Sequence, residues 1–212
     1  MVEAVIYGPA YSTYTRTARL VFEEKGQPYK LVEVDILKGD GHSPAHLARH
    51  PYGKVPTLEI DGFTLYETDA IERYVDEALP GAKLQPADAK QRARMSQIMD
   101  FTDNYVYGQA IGGLVINRLI NPLLGKPVDE AKIKEALAAS EKAFQEIEHL
   151  MGAGPYLAGP ALSLADLHLA PILAYFVMTP EGELAMKKLP KLAEWWGKIK
   201  DLPSMVKTAP KF

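Results

Sequence analysis

The chain has 212 residues, 47% of them hydrophobic and 24% charged, with a formal net charge of -3. These are the proportions of an ordinary globular protein with one large or two small domains. They lack the concentrated basic face expected of a nucleic-acid binder and any apolar run long enough to span a bilayer. Cysteine is absent, which excludes disulfides, thiolate metal sites and catalysis by a protein thiol. Any thiol chemistry needs a thiol that arrives from outside the chain.

Met1-Val2-Glu3-Ala4 carries no basic leader and runs directly into a strand-like stretch, so a cytoplasmic protein is expected. Val2 to Tyr7 reads as a strand ended by Gly8-Pro9, and Thr13 to Lys25 as a helix with Ala18, Leu20, Val21 and Phe22 inward and Gly26 as its stop. Tyr29 to Asp35 alternates as a second strand. Lys38 to Tyr52, rich in Gly, Pro, Ser and His, reads as a loop with one short helix. Thr57 to Ile60 and Phe63 to Tyr66 are strands joined by Asp61-Gly62, a strong hairpin signal. Thr68 to Leu79 is helical with Ile71, Tyr74, Val75 and Ala78 on one face, and Pro80-Gly81 ends it. The order β-α-β-loop-β-β-α predicts a small four-stranded mixed sheet covered by helices.

Gly81 to Pro86 reads as a linker, and everything beyond it as helical. Lys90 to Leu119 is predicted as one long helix, bent near Gly112-Gly113. Asp129 to Met151 is a second, with Ile133, Leu137, Ser140, Phe144, Ile147 and Met151 forming one stripe. Ser163 to Val177 and Leu189 to Lys200 follow. The domains expected are therefore 1-80, a linker at 81-86, and an all-helical domain at 87-212. Of the five histidines, His42, His46 and His50 have the i, i+4 spacing of metal ligands. Pro44 and Pro51 interrupt that stretch and no carboxylate joins it, so no metal site is expected.

Three stretches carry a resemblance that covers nearly the whole chain. Lys54-Val55-Pro56-Thr57-Leu58 precedes the hairpin, Glu67-Thr68-Asp69-Ala70-Ile71 opens the next helix, and Ser163-Leu164-Ala165-Asp166 fits a capping box before an apolar run. In this order the chain resembles the cytosolic glutathione transferases: a thioredoxin-like domain followed by a helical-bundle domain. Pro51-Tyr52-Gly53-Lys54-Val55-Pro56, with His50 where an asparagine is usual, and Ser12, Thr15 and Arg16 are similar to the phi class and its bacterial relatives.

The resemblance implies a transferase that binds glutathione as co-substrate and attacks a small apolar electrophile. A glutathione-dependent isomerase or peroxidase, and a non-catalytic carrier, are alternatives on the same fold. A cis bond before Pro56 would expose the Val55 backbone to pair with glutathione as an added strand. Glu67 and Thr68, at a helix N-terminus, would hold its γ-glutamyl end. Lys54 and His42 would meet its glycine carboxylate. The thiol, which titrates near 8.5 when free, needs a hydroxyl donor to become a thiolate. Ser12 and Tyr7 compete for that role. Tyr11, Tyr14, Tyr105, Tyr107, Ile111 and Phe176 are candidate walls of an electrophile pocket. Arg16 is placed under the site, bracing the first helix. A homodimer is implied, with Asp100 or Asp103 reaching the neighbour's glutathione.

Overall fold

The computed structural model of the protein describes residues 3–210. Two compact units are present: Met1–Gln85 together with Leu202–Phe212, and Pro86–Asp201.

The first unit is built on a four-stranded sheet in the order β2-β1-β3-β4, with β1 Ala4–Tyr7, β2 Lys30–Val32, β3 Thr57–Ile60 and β4 Phe63–Tyr66. β1 pairs with β2 in parallel, while β3 runs antiparallel to both β1 and β4. The predicted first strand is observed from Ala4, and Val2 lies outside the described residues. β2 is shorter than the predicted Tyr29–Asp35 because β1, its one partner strand among the described residues, stops at the Tyr7↔Val32 pair. The hairpin turns on Asp61 and Gly62, both at positive φ (47° and 79°), as a two-residue turn that follows strand twist requires.

Helix α1, Thr13–Glu24, buries Ala18, Leu20, Val21 and Phe22. The expected loop contains a tight turn at Asp40–His42 and the short helix α2, Pro44–Leu47. Helix α3, Thr68–Ala78, buries Ile71 and Val75. Residues 81–85, within the stretch 81–86 read as a linker, are tied to α3. The buried Asp76 carboxylate accepts the backbone N–H groups of Leu84 and Gln85, and the buried Lys25 ammonium reaches both Asp76 and the Ala82 carbonyl.

Helix α4, Ala89–Phe101, begins the second unit with Asp88 as its N-cap. The stretch Lys90 to Leu119, predicted as one long helix bent near Gly112-Gly113, is helical but changes type along its length. Beyond Phe101 the backbone widens to i→i+5 bonding over Thr102–Val106 and Gly108–Ile120, before a last turn, α5, at Asn121–Leu123. Side chains compete for the i−4 carbonyls along this stretch: Thr102 Oγ1 donates to Ile98 O, Asn104 Nδ2 to Asp100 O and Asn117 Nδ2 to Gly113 O. Such widening recurs at functional positions in helices.

Helix α6, Glu130–Leu150, buries Ile133, Ser140, Phe144 and Ile147 of the predicted stripe, with Ala136, Ala143 and Leu150 beside them. Helix α7, Leu164–Phe176, is almost wholly buried and carries Pro171 in its interior. The capping box at its start does more than cap. The buried Asp166 carboxylate accepts from Leu157 N, Ser163 N, Ser163 Oγ and the Trp195 indole. Helix α9 is Pro190–Ile199, and the sequence reading had no counterpart for α8, Pro180–Met186, or α10, Pro203–Thr208. Although expected with the helical half, α10 packs on α1, where the buried Arg16 guanidinium donates to Met205 O and Thr208 Oγ1.

Candidate functional site

Strand register gathers the candidate residues of the first unit. Tyr7 faces Thr57 across β1 and β3, Thr57 faces Tyr66 across β3 and β4, and Tyr7 faces Val32 across β1 and β2. One end of the sheet therefore receives the chain leaving β1 toward Ser12, the chain entering β3 through Val55 and Pro56, and the chain leaving β4 at Glu67 and Thr68. Residues far apart in sequence become neighbours through pairing alone.

Each arrival has a distinct geometry. Ser12 is the N-cap of α1, and its Oγ accepts the Thr15 N–H at 3.3 Å. Among the described residues nothing accepts the proton of the Ser12 hydroxyl, so that proton is available to a ligand. The Val55–Pro56 peptide is cis. Val55 is half-buried, and among the described residues no acceptor meets its N–H. Glu67 stands at the N-cap position of α3 with φ 70° and ψ 121° and makes no side-chain cap bond. A non-glycine residue held at such angles costs about 1–3 kcal/mol, and such positions cluster at ligand sites. The first-turn Asp69 is turned away to Arg73 at 2.9 Å. The N-terminal N–H groups of α3 thus keep their pull on an anion.

Tyr7 has another role. Its hydroxyl donates to Glu59 Oε2 at 2.6 Å, Arg49 Nε donates to Glu59 Oε1 at 2.8 Å, and the Arg49 guanidinium lies 4.0 Å above the Tyr7 ring. Burial, then the bond to Glu59, pushes the phenol above its ordinary range, while the phenol's donated proton holds the Glu59 carboxyl below its own. A phenol already spent on a carboxylate is a poor donor to a thiolate.

The loop carrying His42 and Lys54 is fitted closely. Gly41 and Gly53 back onto each other, so that a Cβ on Gly53 would lie 2.6 Å from the Gly41 carbonyl oxygen. Gly53 also takes a positive φ of 62°. This approach sets the exposed His42 beside the exposed Lys54 segment, the Gly53 Cβ position being 3.3 Å from His42 Nδ1. Buried His46 reaches the Lys54 carbonyl through Nε2 at 2.7 Å. His50, also buried, stacks on Tyr66 with 4.7 Å between ring centroids and accepts the Tyr52 N–H on Nδ1. Burial holds the His50 imidazole below its ordinary pKa, opposed by the nearby Glu67 charge.

The candidate pocket residues belong to both units. Tyr11, in the first unit, donates to Asp35 Oδ1 at 2.9 Å, and burial with that bond raises its phenol. Tyr14 is half-buried on α1. In the second unit Tyr105 is exposed and stacks on Phe101 at 4.7 Å, Tyr107 is half-buried, and Ile111 is buried. Phe176 does not line a wall: it is fully buried against Phe144. Asp103 Oδ1 meets His168 Nε2 at 2.8 Å, and the Asp100 carbonyl accepts from Asn104.

Sequence reasoning passed over Arg49 and Glu59, and weighed His46 only as a metal ligand. Glu59 did leave a signal, since a carboxylate within a four-residue strand is disfavoured unless partnered. Among the described residues no three His, Asp or Glu side chains are grouped to hold a metal, and no helix is long and apolar enough to cross a membrane.

Residues 6–83 match the family model for the glutathione S-transferase N-terminal domain, and residues 109–203 match that for the C-terminal domain. A probable glutathione S-transferase of Oryza sativa subsp. japonica is 31% identical, the match covering 99% of this chain and 96% of the relative. The crystal structure of glutathione transferase F7 from Populus trichocarpa superposes with a TM-score of 0.87 at 30% identity, covering 97% of each chain. Glutathione S-transferase I from mais, in complex with an atrazine glutathione conjugate, superposes at 0.85 with 26% identity, over 97% of this chain and 96% of that one. With its thioredoxin-like sheet and helical second half, the chain belongs to the glutathione S-transferase family of enzymes.

Proposed function

We propose that the protein binds glutathione at the sheet end described above and that Ser12 stabilises its thiolate for attack on a small apolar electrophile. One observation carries the reading: of the two candidate hydroxyls, Ser12 keeps an uncommitted proton at a helix N-terminus, while Tyr7 gives its proton to Glu59. The free Val55 N–H would pair with the cysteinyl backbone of the tripeptide. Glu67, Thr68 and the α3 N-terminus would hold the γ-glutamyl ammonium and carboxylate, and Lys54 and His42 the glycine carboxylate. The mais relative, in complex with a glutathione conjugate of atrazine, supports an aromatic or heteroaromatic electrophile class. Tyr11, Tyr14, Tyr105, Tyr107 and Ile111 are proposed to meet the electrophile. The protein is proposed to act in the cytoplasm as a homodimer, which light scattering at micromolar concentration would test.

Chemistry follows from the donor. Lowering the thiol by about two pH units stabilises the thiolate by roughly 2.7 kcal/mol. A hydrogen bond to a charged group contributes about 1.5–3 kcal/mol, so one hydroxyl, helped by the α1 N–H groups, is sufficient. The Thr15 N–H already donates to Ser12 Oγ, which polarises the hydroxyl and makes its proton a better donor.

The test is an ultraviolet difference titration of bound glutathione against pH. The wild-type protein should show thiolate well below pH 8.5, the value near which the free thiol titrates. Ser12→Ala should move that titration back toward the free value and lower kcat/KM by about 10- to 100-fold, while Tyr7→Phe should retain thiolate formation. The reverse pattern would assign the donor to Tyr7. Saturable binding with no thiolate would make the protein a carrier.

A further inference from the structure

We propose that His46 is a positioning residue for the peptide between Lys54 and Val55, fixing the direction of the N–H that meets glutathione. The inference rests on the glutathione reading above and names a residue outside the set proposed to touch the ligand.

The observation is one hydrogen bond and one missing one. His46 is 2% exposed, and its Nε2 lies 2.7 Å from the Lys54 carbonyl oxygen. A carbonyl only accepts, so the ring proton sits on Nε2. Nδ1 is then a buried acceptor, and it has no partner among the described residues. An orphaned buried acceptor leaves its desolvation cost uncompensated. A phenylalanine would fill the same space without that cost. Packing alone therefore does not favour histidine here, and the contribution that offsets the orphan must come from Nε2.

What Nε2 does follows from peptide planarity. The Lys54–Val55 bond is not among the cis bonds, so its C=O and the Val55 N–H lie in one plane and point in opposite directions. His46 draws the carbonyl inward toward α2, which turns the Val55 N–H outward, where no acceptor among the described residues meets it. Without the imidazole the plane can rotate at little cost, and the N–H loses its fixed aim. α2 itself is pinned to the sheet: Arg49, three residues on, donates to Glu59 at 2.8 Å and to the Ala45 carbonyl at 2.8 Å. The ring is thereby held from the sheet side and acts on the ligand side.

The experiment compares His46→Phe, His46→Asn and His46→Gln. Phenylalanine keeps the buried volume without a donor. Asparagine places its amide near the Nδ1 position, short of Lys54 O, and glutamine places it near Nε2. Each is measured by calorimetric titration with glutathione, by KM and kcat with glutathione and chlorodinitrobenzene, and by thermal melting without ligand. The expected result is a rise of about tenfold in Kd and KM for glutathione in the Phe and Asn variants. Their kcat at saturating glutathione should stay within about twofold, and the Gln variant should return to within about threefold of wild type. Should the Phe variant not fold, the Asn and Gln pair decides, because both carry the same amide and the extra methylene of glutamine is what carries it to the Nε2 position. If wild type binds glutathione and all variants bind alike, or if melting and kcat fall together with KM unchanged, His46 is structural and this inference is overturned while the glutathione site stands. If wild type shows no saturable binding, the reading beneath it falls as well.

Discussion

Gly53 offers a perturbation whose size can be worked out from the structure. Its φ is +62°, and a Cβ placed on it would lie 2.6 Å from the Gly41 carbonyl oxygen. Gly53→Ala therefore incurs two separate costs. The left-handed conformation costs an L-residue about 1–2 kcal/mol. The contact is backbone against Cβ, with no rotamer to relieve it, and overpacking of this kind costs about 1–3 kcal/mol. Gly62→Ala is the control, because it shares the conformation (φ +79°) with nothing within 4 Å of its Cβ. We expect Gly53→Ala to be less stable than Gly62→Ala by the contact cost alone, about 1–3 kcal/mol. Thermal unfolding without ligand reads this as about 2–4 °C per kcal/mol for a chain of this size. The functional consequence is separate: forcing the Gly41 and Gly53 segments apart moves His42 and Lys54 together, so the KM for glutathione should rise at least about threefold in Gly53→Ala and stay unchanged in Gly62→Ala. Equal melting temperatures and equal KM values in the two variants would refute the argument that this close approach builds the loop.

Other consequences can be checked alongside. Lys25→Met should destabilise the first unit by about 3 kcal/mol, the lower end for a broken buried pair, because Asp76 retains the N–H groups of Leu84 and Gln85; urea unfolding measures it, and a loss below about 1 kcal/mol would contradict the assignment. Burial lowers the pKa of His50, so the folded state binds fewer protons than the unfolded state as the pH falls through about 6.5, the ordinary imidazole value. Its contribution to stability is present above that pH and is lost as the pH falls, with a slope of at most about 1.4 kcal/mol per pH unit; His50→Asn should flatten the melting-temperature profile between pH 7 and 5. Asp166→Ala leaves four donors without their acceptor and should cost more than about 4 kcal/mol, an exceptional value for one substitution, with loss of the near-ultraviolet circular dichroism of Trp195; a well-folded variant would show that the acid is dispensable.

The elements set by local pattern were legible in the sequence. The hairpin at Asp61-Gly62, α1, α3 and the buried stripe of α6 follow from turn chemistry and periodicity, and the mixed sheet follows from their order. What escaped were features set by distant partners. The widening after Phe101 depends on which carbonyls Thr102, Asn104 and Asn117 claim, and side chains of these types are common in helices that stay regular. α10 could not be assigned to the first unit, because its attachment is the Arg16 side chain, whose acceptors Met205 and Thr208 lie at the other end of the chain. α8 and α10 are short and begin at prolines, which read equally well as breaks or as first helical residues.

The same logic explains why Ser12 and Tyr7 could not be separated from sequence. Both are hydroxyls, and both lie near the junction of β1 and α1, where a donor is wanted. The discriminator is Glu59. Register sets Tyr7 opposite Thr57 and Val5 opposite Glu59, so Tyr7 and Glu59 are diagonal neighbours on one face of the sheet, within reach of long side chains. That pairing spans 52 residues, and Arg49, just past the end of α2, completes it. Once the carboxylate holds the phenol proton, thiolate stabilisation by Tyr7 would require breaking a charge-assisted bond inside a three-residue cluster. Ser12 needs no such exchange, because its oxygen serves the helix and its proton remains free. A donor is recognised by where its proton already goes, which no pattern local to the donor reveals.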